Sequence, residues 1–282
     1  MSRILVADSG STKTSWVLMD SLKEEGPWET IGLNPYFHTG ESIRSEITQH
    51  LLPYIEESPE AIYFYGAGCK SPENQKTMKE ALEESFPGSV AYIDHDLAGA
   101  AHSLCQDEEG IACILGTGSN SCFYDGQKIL ENNSSLGFVL GDEGSGAVMG
   151  SWIMKEFLYG RLPAELQHAF EESHPVEFHD VLKRVYMQPF PNRYLAKFAR
   201  FVHENRKHEF ISTYLDEQFR IFLQRNVLDY DRPKVKASFM GSIAFYFQDE
   251  LLKLSKEMGI GVGEISQEAI SGLIRYHRNL LG

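Results

Sequence analysis

The sequence predicts an α/β protein of two similar domains, and three observations carry that expectation. A strand, a small-residue loop and a returning strand open the chain at Ile4 to Met19, and the same pattern restarts at Ile111 to Leu130. Behind the first copy, short apolar runs alternate with amphipathic stretches, the arrangement of strands joined by helices. The length, 282 residues, sits where single hydrophobic cores begin to split.

The opening stretch has a chemical logic of its own. Ile4 to Ala7 is apolar and rich in β-branched residues, and it runs into Asp8 and the small residues up to Thr12 before an apolar run resumes at Trp16 to Met19. Gly10 can take positive φ and has no Cβ to block an anion, so the N–H groups of Ser11, Thr12 and Lys13 could converge on a phosphate. Asp8, at the mouth of that loop, would hold Mg²⁺, which prefers one or two carboxylates together with waters and phosphates. A plain tight turn has the same short pattern, and only a second copy tips the balance.

Trp28 to Leu33 is expected as a third strand, leaving through the turn Gly32-Leu33-Asn34-Pro35. Ile43, Ile47, Leu51 and Leu52 mark a helix closed by Pro53, and Ala61 to Tyr65 a short strand ending in Gly66-Ala67-Gly68. Pro72 to Phe86 reads as a helix with proline in its first turn and Pro87-Gly88 as its stop. Val90 to Ile93 is another strand, and its end carries Asp94-His95-Asp96 before a small-residue helix from Leu97 to Leu104.

In the second half, Ile111 to Leu115 is a strand, Gly116-Thr117-Gly118-Ser119-Asn120 a turn, Ser121 to Tyr124 the return, and Lys128 to Leu130 a third strand. Gly10-Ser11 falls on Gly118-Ser119, so two loops facing one cleft could grip the β- and γ-phosphates of a nucleotide. Gly137, Gly141, Gly144 and Gly146 surround Asp142-Glu143 at the entrance of a helical run from Ala147 to Tyr159. The acids would complement the helix dipole, and four glycines exceed what a cap needs. Ala164 to Leu228 is largely helical, and its aromatics recur at three and four residues as a core face does. Lys234 to Phe239 is a late strand running through Gly241-Ser242 into a helix to Met258, a strand-to-helix crossover that could back an adenosine. Val262 to Ile265 is short and ambiguous, and Gln267 to Leu281 is an amphipathic closing helix.

Composition excludes several classes. A formal charge of −14, from 26 basic and 40 acidic residues, repels a phosphodiester backbone, so nucleic acid is not an expected partner. No apolar run reaches the roughly 18 residues of a membrane span, and Asp8 interrupts the N-terminal apolar run, so neither a span nor a signal peptide is expected. Cys69, Cys105, Cys113 and Cys122 lack Cys-x-x-Cys spacing and read as buried thiols of a cytoplasmic protein. The histidines form no zinc-site pattern.

Taken together, these motifs resemble the actin-like ATPase superfamily of sugar kinases, actin and the large heat-shock chaperones. Within it, the chain is similar to N-acetylglucosamine kinases of the group that includes the BadF/BcrA-type ATPases. Asp8 to Thr12 matches the first phosphate motif, Gly116 to Asn120 the second and Gly241-Ser242 the adenosine motif, with Gly141-Asp142-Glu143-Gly144-Ser145 the most family-specific piece. The resemblance implies two ribonuclease H-like domains with a cleft between them. The expected boundaries are 1–105 plus 266–282 for the first domain and 106–265 for the second.

The resemblance also implies roles. Asp96 takes a proton from the sugar hydroxyl, Asn34 and Asp142 bind sugar hydroxyls, and Thr117, Gly118 and the Gly137-Phe138 backbone line the same pocket. Gly10, Ser11, Thr12, Lys13, Gly116, Thr117 and Gly118 meet the ATP phosphates, Asp8 holds Mg²⁺, and Gly241-Ser242 back the adenine and ribose. Phe138 stands where the family more often has tryptophan, and Gly66-Ala67-Gly68-Cys69 replaces a serine-containing loop. The implied activity is ATP-dependent phosphorylation of an amino sugar, N-acetylglucosamine at its 6-hydroxyl. The sugar and ATP are the partners, and a homodimer is compatible with this reading. The alternatives are an activase-type ATPase driving a partner enzyme and a nucleotide-gated scaffold.

Overall fold

The computed structural model describes residues 3–282 and contains two five-stranded sheets with helices between their strands. In the first sheet β1 (Ile4–Ser9), β2 (Lys13–Met19), β3 (Glu24–Ile31), β4 (Ala61–Gly66) and β5 (Val90–His95) lie in the order β3-β2-β1-β4-β5. The β1–β2 and β2–β3 pairs are antiparallel, and β1, β4 and β5 are parallel. Its helices are α1 (Gly40–His50), α2 (Pro72–Ser85) and α3 (Asp96–Cys105).

The second sheet contains β6 (Glu109–Leu115), β7 (Ser119–Asp125), β8 (Ile129–Asn133), β9 (Ala237–Met240) and β10 (Val262–Ser266), in the order β10-β9-β6-β7-β8. With β6 as the counterpart of β1, this is the first order again, and β6, β9 and β10 repeat the parallel set. The architecture is therefore a duplicated α/β fold. Between β8 and β9 come α4 (Gly146–Leu158), α5 (Ala164–Ser173), α6 (Phe178–Tyr186), α7 (Pro191–Ala196), α8 (Ala199–Glu204) and α9 (Glu209–Asn226). α10 (Ser242–Tyr246) and α11 (Gln248–Glu257) precede β10, and α12 (Ile270–Leu281) follows it.

The chain divides into two compact units. The first runs to Gly110 and adds Tyr124–Leu130 and Glu268–Gly282; the second comprises Ile111–Phe123 and Glu131–Gln267. The core of the first unit joins Leu5, Ala7, Trp16, Leu18, Ile62 and Phe64 of the sheet to Ile43 and Ile47 of α1 and Met78 and Leu82 of α2. The core of the second gathers Phe170, Phe201, Phe219, Phe222, Phe239 and Phe247, so the aromatic recurrence is packing. Each such side chain contributes about 1.5–3 kcal/mol by leaving water. All four cysteines are buried, and none is in a disulfide among the described residues. Among the described residues no helix is long and apolar enough to cross a membrane.

Helix starts follow from capping chemistry. Thr39, Ser71 and Ser145 accept from the N–H groups of Ser42, Asn74 and Val148, and Pro72 opens α2 where no donor is needed. Three sequence expectations shift. The third strand lies earlier than Trp28 to Leu33, because Leu33 leaves the sheet and its N–H meets the buried hydroxyls of Ser9 and Thr14 at 3.1 and 3.2 Å. The helix towards Met258 breaks at Phe247, and the closing helix begins at Ile270 rather than Gln267. The ambiguous segment at 262–265 is a strand beside β9.

Candidate functional site

In the first unit, the carboxyl ends of the parallel strands β1, β4 and β5 share one edge of the sheet, where α/β proteins bind ligands. Asp8 sits in β1 one residue from its end, and Asp96 is the first residue of α3, directly after β5. His95 caps that helix, its Nδ1 accepting from Ala98 N–H at 3.2 Å, and Asp96 Oδ1 accepts from Leu97 N–H at 2.9 Å. The helix therefore starts one residue before the expected Leu97.

The two carboxylates share an unfavourable environment. Burial pushes the Asp8 carboxyl up to about 6; the neighbouring Asp96 and Glu268 add to this, while the Ala269 N–H, at 3.3 Å, and Lys13 oppose it. Burial likewise raises Asp96, opposed by His95 and the Leu97 N–H. Asp94, two residues before Asp96, accepts from His95 N–H at 2.7 Å and its side chain is 47% exposed.

The loop between β1 and β2 is closed by a hydrogen bond from Gly10 N–H to the Lys13 carbonyl, 3.0 Å. Gly10 does not take positive φ, contrary to the sequence expectation, and a Cβ there would meet only the Lys13 oxygen at 3.8 Å. The strict demand for glycine falls on Gly32, whose Cβ would lie 2.5 Å from the Gly10 carbonyl oxygen. The Lys13 ammonium is held by Glu29 at 2.6 Å and Glu268 at 2.8 Å. Thr12 is exposed at the tip.

Asn34 is buried beyond β3, and its Oδ1 accepts from Tyr36 N–H at 2.9 Å. Gly68, in the turn after β4, packs against that amide with φ +86°. The turn is fixed by Asn74 Nδ2 to the Gly68 carbonyl, 2.8 Å, and Gln75 Nε2 to the Cys69 carbonyl, 3.0 Å. Burial, aided by Asp96 and Asp94, pushes the Cys69 thiol up to about 12, so it is a packing group and not a nucleophile.

In the second unit the loop Gly116-Thr117-Gly118 lies against the start of α4. The Gly146 and Ala147 N–H groups donate to the Gly116 and Thr117 carbonyls at 2.9 and 3.0 Å. Asp142, with φ 58°, stands over Gly118, where a Cβ would come within 2.8 Å of its Oδ2. Its carboxylate accepts from Ser135 Oγ at 2.8 Å and from the Ser119 and Gly137 N–H groups, which counter the upward pull of burial. Glu143 pairs with Arg225 of α9. Gly137 has φ +75°, its carbonyl accepts from Leu140 and Gly141 N–H, and Phe138 beside it is half-buried.

Gly241, with φ +113°, brings the turn before α10 against the end of β6, where a Cβ would lie 2.8 Å from the Leu115 carbonyl carbon. The second phosphate loop, Asp142 and the Gly241-Ser242 turn are thus neighbours in one unit. Beside Ser242 a cavity of about 430 Å³ is bordered by Ile243 and Tyr246 of α10 and by Ala196, Lys197 and His203. Ser135 was not legible from the sequence, because one serine in a polar loop carries no periodic or spacing signal.

A candidate N-acetylglucosamine kinase from Porphyromonas gingivalis is 41% identical over 98% of this chain and 99% of that one, with a TM-score of 0.93. A second candidate N-acetylglucosamine kinase, from Chromobacterium violaceum, shares the fold at 16% identity, covering 100% and 99% of the two chains with a TM-score of 0.75. Component A of (R)-2-hydroxyglutaryl-CoA dehydratase from Acidaminococcus fermentans shares it at 10% identity over 99% and 97%, with a TM-score of 0.53. No family model matches the chain, and no curated protein does. At 41% identity over nearly the whole of both chains, the protein belongs to the N-acetylglucosamine kinase-like family of the actin-like ATPase superfamily.

Proposed function

We propose that this protein is a sugar kinase that transfers the γ-phosphoryl group of ATP to an amino sugar, N-acetylglucosamine at its 6-hydroxyl, with Asp96 as general base. The observation that carries this reading is the placement of Asp96 at the start of α3, on the ligand-binding edge of the first sheet, with burial raising its proton affinity. The 41% identical relative supports the substrate class by its name.

Asp96 accepts the hydroxyl proton as the sugar oxygen bonds to the γ-phosphorus, and the bond from that phosphorus to the bridging oxygen of ADP breaks. The role assigned to Asn34 of the first unit, and to Asp142, Thr117, Gly118 and the Gly137-Phe138 backbone of the second, is to bind the sugar. Gly10, Ser11, Thr12 and Lys13 of the first unit and Gly116, Thr117 and Gly118 of the second are assigned to the phosphates, and open space at Gly116 leaves room for an anion. Gly241-Ser242 and the adjoining cavity take the adenosine.

Asp8 fits a magnesium ligand, because its donor is a carboxylate oxygen and its neighbours Asp96 and Glu268 leave local negative charge that a cation relieves. When bound, Mg²⁺ supplies charge neutralisation at the phosphate oxygens. Positioning and charge neutralisation account for most of phosphoryl transfer, so these groups suffice.

A panel of amino sugars with Mg-ATP, scored by ADP release and by phosphosugar formation, tests the reading. N-acetylglucosamine should stimulate ADP release at least tenfold, roughly 1.4 kcal/mol in barrier. Equal ADP release without sugar would sink it and favour an activase-type ATPase, which has only fold-level likeness behind it.

A further inference from the structure

Tyr63 and Tyr65 leave β4 on the face opposite Ile62 and Phe64, and meet buried titratable groups that phosphoryl transfer does not use. The Tyr65 hydroxyl pairs with His102 Nδ1 of α3 at 3.0 Å and with His277 Nε2 of α12 at 3.1 Å. His277 is 2% exposed, with its ring 4.2 Å from that of Tyr63. Tyr276 stacks on His102 at 4.2 Å, and Tyr124 meets the same ring edge-on at 5.7 Å. Tyr92 of β5 stacks on Tyr63. Around them the charged and titratable neighbours are Asp94 of β5, His95 before α3, Cys105 at its end and Asp125 at the end of β7.

With both rings neutral, the hydroxyl donates its one hydrogen to one ring and accepts from the other, and all three groups are satisfied. An added proton on the accepting nitrogen turns it into a second donor to the hydroxyl oxygen, leaves the hydroxyl hydrogen without its partner and puts a charge into a buried cluster, so the contact is weakened. Burial opposes that proton, holding His277 down at about 4 and lowering His102, where Asp94 pulls the other way.

The linked helices also carry the proposed site. α3 begins with Asp96, and the residues leading into α12 give the Ala269 N–H to Asp8 and Glu268 to Lys13. The helices touch directly as well: Ser103 Oγ donates to the Ala269 carbonyl at 2.9 Å, and Gln106 Nε2 to the Gly272 carbonyl at 3.1 Å.

We propose that Tyr65, His102 and His277 form a proton-sensitive clasp, positioning residues that hold α3 and α12 where Asp96 and Asp8 are set and that release them in acid. This rests on the kinase reading above. The clasp makes the reaction lose activity on the acid side faster than one titrating base allows.

The test is the pH profile of sugar-dependent ADP release, with thermal unfolding measured alongside, for the full chain and for Tyr65→Phe and His277→Gln. Glutamine keeps an N–H donor for the Tyr65 hydroxyl and does not titrate. Tyr65→Phe should lower kcat on the order of tenfold near neutral pH with KM for ATP within about twofold, as displaced catalytic groups do. The natural protein should lose log kcat in acid with a slope approaching two, and His277→Gln with a slope near one, while keeping kcat within about threefold near neutral pH. A Tyr65→Phe protein that melts lower with unchanged kcat would overturn the clasp, as would an unchanged acid slope in His277→Gln. If Tyr65→Phe does not fold, His102→Asn takes its place with the same two outcomes. If the natural protein shows no sugar-dependent ADP release, the kinase reading fails alone. The clasp is then decided by the difference in melting temperature between the natural protein and His277→Gln, which should shift in favour of the variant from about pH 6.5 to 4, because Asp8 titrates alike in both; a difference that does not change with pH would overturn it.

Discussion

A Cβ at Gly68 would stand 2.8 Å from the Asn34 side-chain carbon Cγ, and closer still to its Oδ1. The backbone of the turn after β4 thus fixes the Asn34 amide from one side while the Tyr36 N–H holds its oxygen from the other. Gly68→Ala must displace that amide and also strain a backbone with φ +86°. We expect it to raise KM for the sugar on the order of tenfold with kcat within about threefold, because the role proposed for Asn34 is to orient the sugar and not to move protons. In an Asn34→Ala background the same change should add less than about twofold, since the clashing amide is gone. Full additivity in that double-mutant cycle would show that Gly68 acts through something other than Asn34.

The second unit repeats the device with different chemistry. Gly118 lies under the Asp142 carboxylate, which Ser135 and two backbone N–H groups hold in place. Removing the Ser135 hydroxyl takes away one charge-assisted hydrogen bond, about 1.5–3 kcal/mol where fully desolvated and less in this exposed loop. Ser135→Ala should weaken sugar binding about three- to tenfold by calorimetry, and Gly118→Ala should weaken it more. Unchanged sugar affinity in both variants would remove Asp142 from the sugar site.

How far the fold could be read from the sequence depended on the range of the interaction involved. The strands β1, β4, β6 and β9 announce themselves through apolar runs, and the second glycine loop made the duplication visible. The end of β3 was misplaced because Leu33 is apolar like a strand residue, and its partners, the hydroxyls of Ser9 and Thr14, lie 24 and 19 positions away. The site divides the same way. Asp8 and Asp96 stand near element boundaries, and Asp142 in a glycine-marked loop, all of which local sequence marks. The Tyr65 hydroxyl meets His277, 212 residues later, and no local period encodes that meeting.

Asp8 should make the ligand-free protein less stable at neutral pH. Its carboxyl is raised from 3.8 to about 6 in the folded chain, so the folded state binds the proton more tightly than the unfolded state. The Asp8 contribution to stability therefore grows as pH falls through 6 and is complete below 3.8, opposing the loss that His277 brings over the same range. Asp8→Asn keeps an oxygen for the Ala269 N–H and removes the charge. It should unfold about 1–3 kcal/mol harder near pH 7.5, with the advantage gone by about pH 4. Its thermal stabilisation by Mg-ATP should fall, as the metal-binding role proposed for Asp8 requires. An Asp8→Asn protein no more stable than the natural one near pH 7.5 would mean the folded carboxylate is already compensated.

Asp96→Asn should lower kcat by about 10² to 10⁴-fold, the usual share of a general base, with ATP binding intact. Asparagine can still accept from the Leu97 N–H, so the start of α3 survives and the loss reads as chemistry rather than unfolding. Burial raises the Asp96 carboxyl, so activity in the natural protein should fall with decreasing pH at values above the ordinary carboxylate range near 3.9. Asp94→Asn provides the contrast. Asp94 is spent on the His95 N–H and half its side chain faces solvent, so its loss should leave kcat within about threefold. A deeper loss in Asp94→Asn than in Asp96→Asn would transfer the base assignment. Loss of ATP binding in Asp96→Asn would instead make that carboxylate part of the metal and phosphate environment, a role its electrostatic coupling to Asp8 would explain.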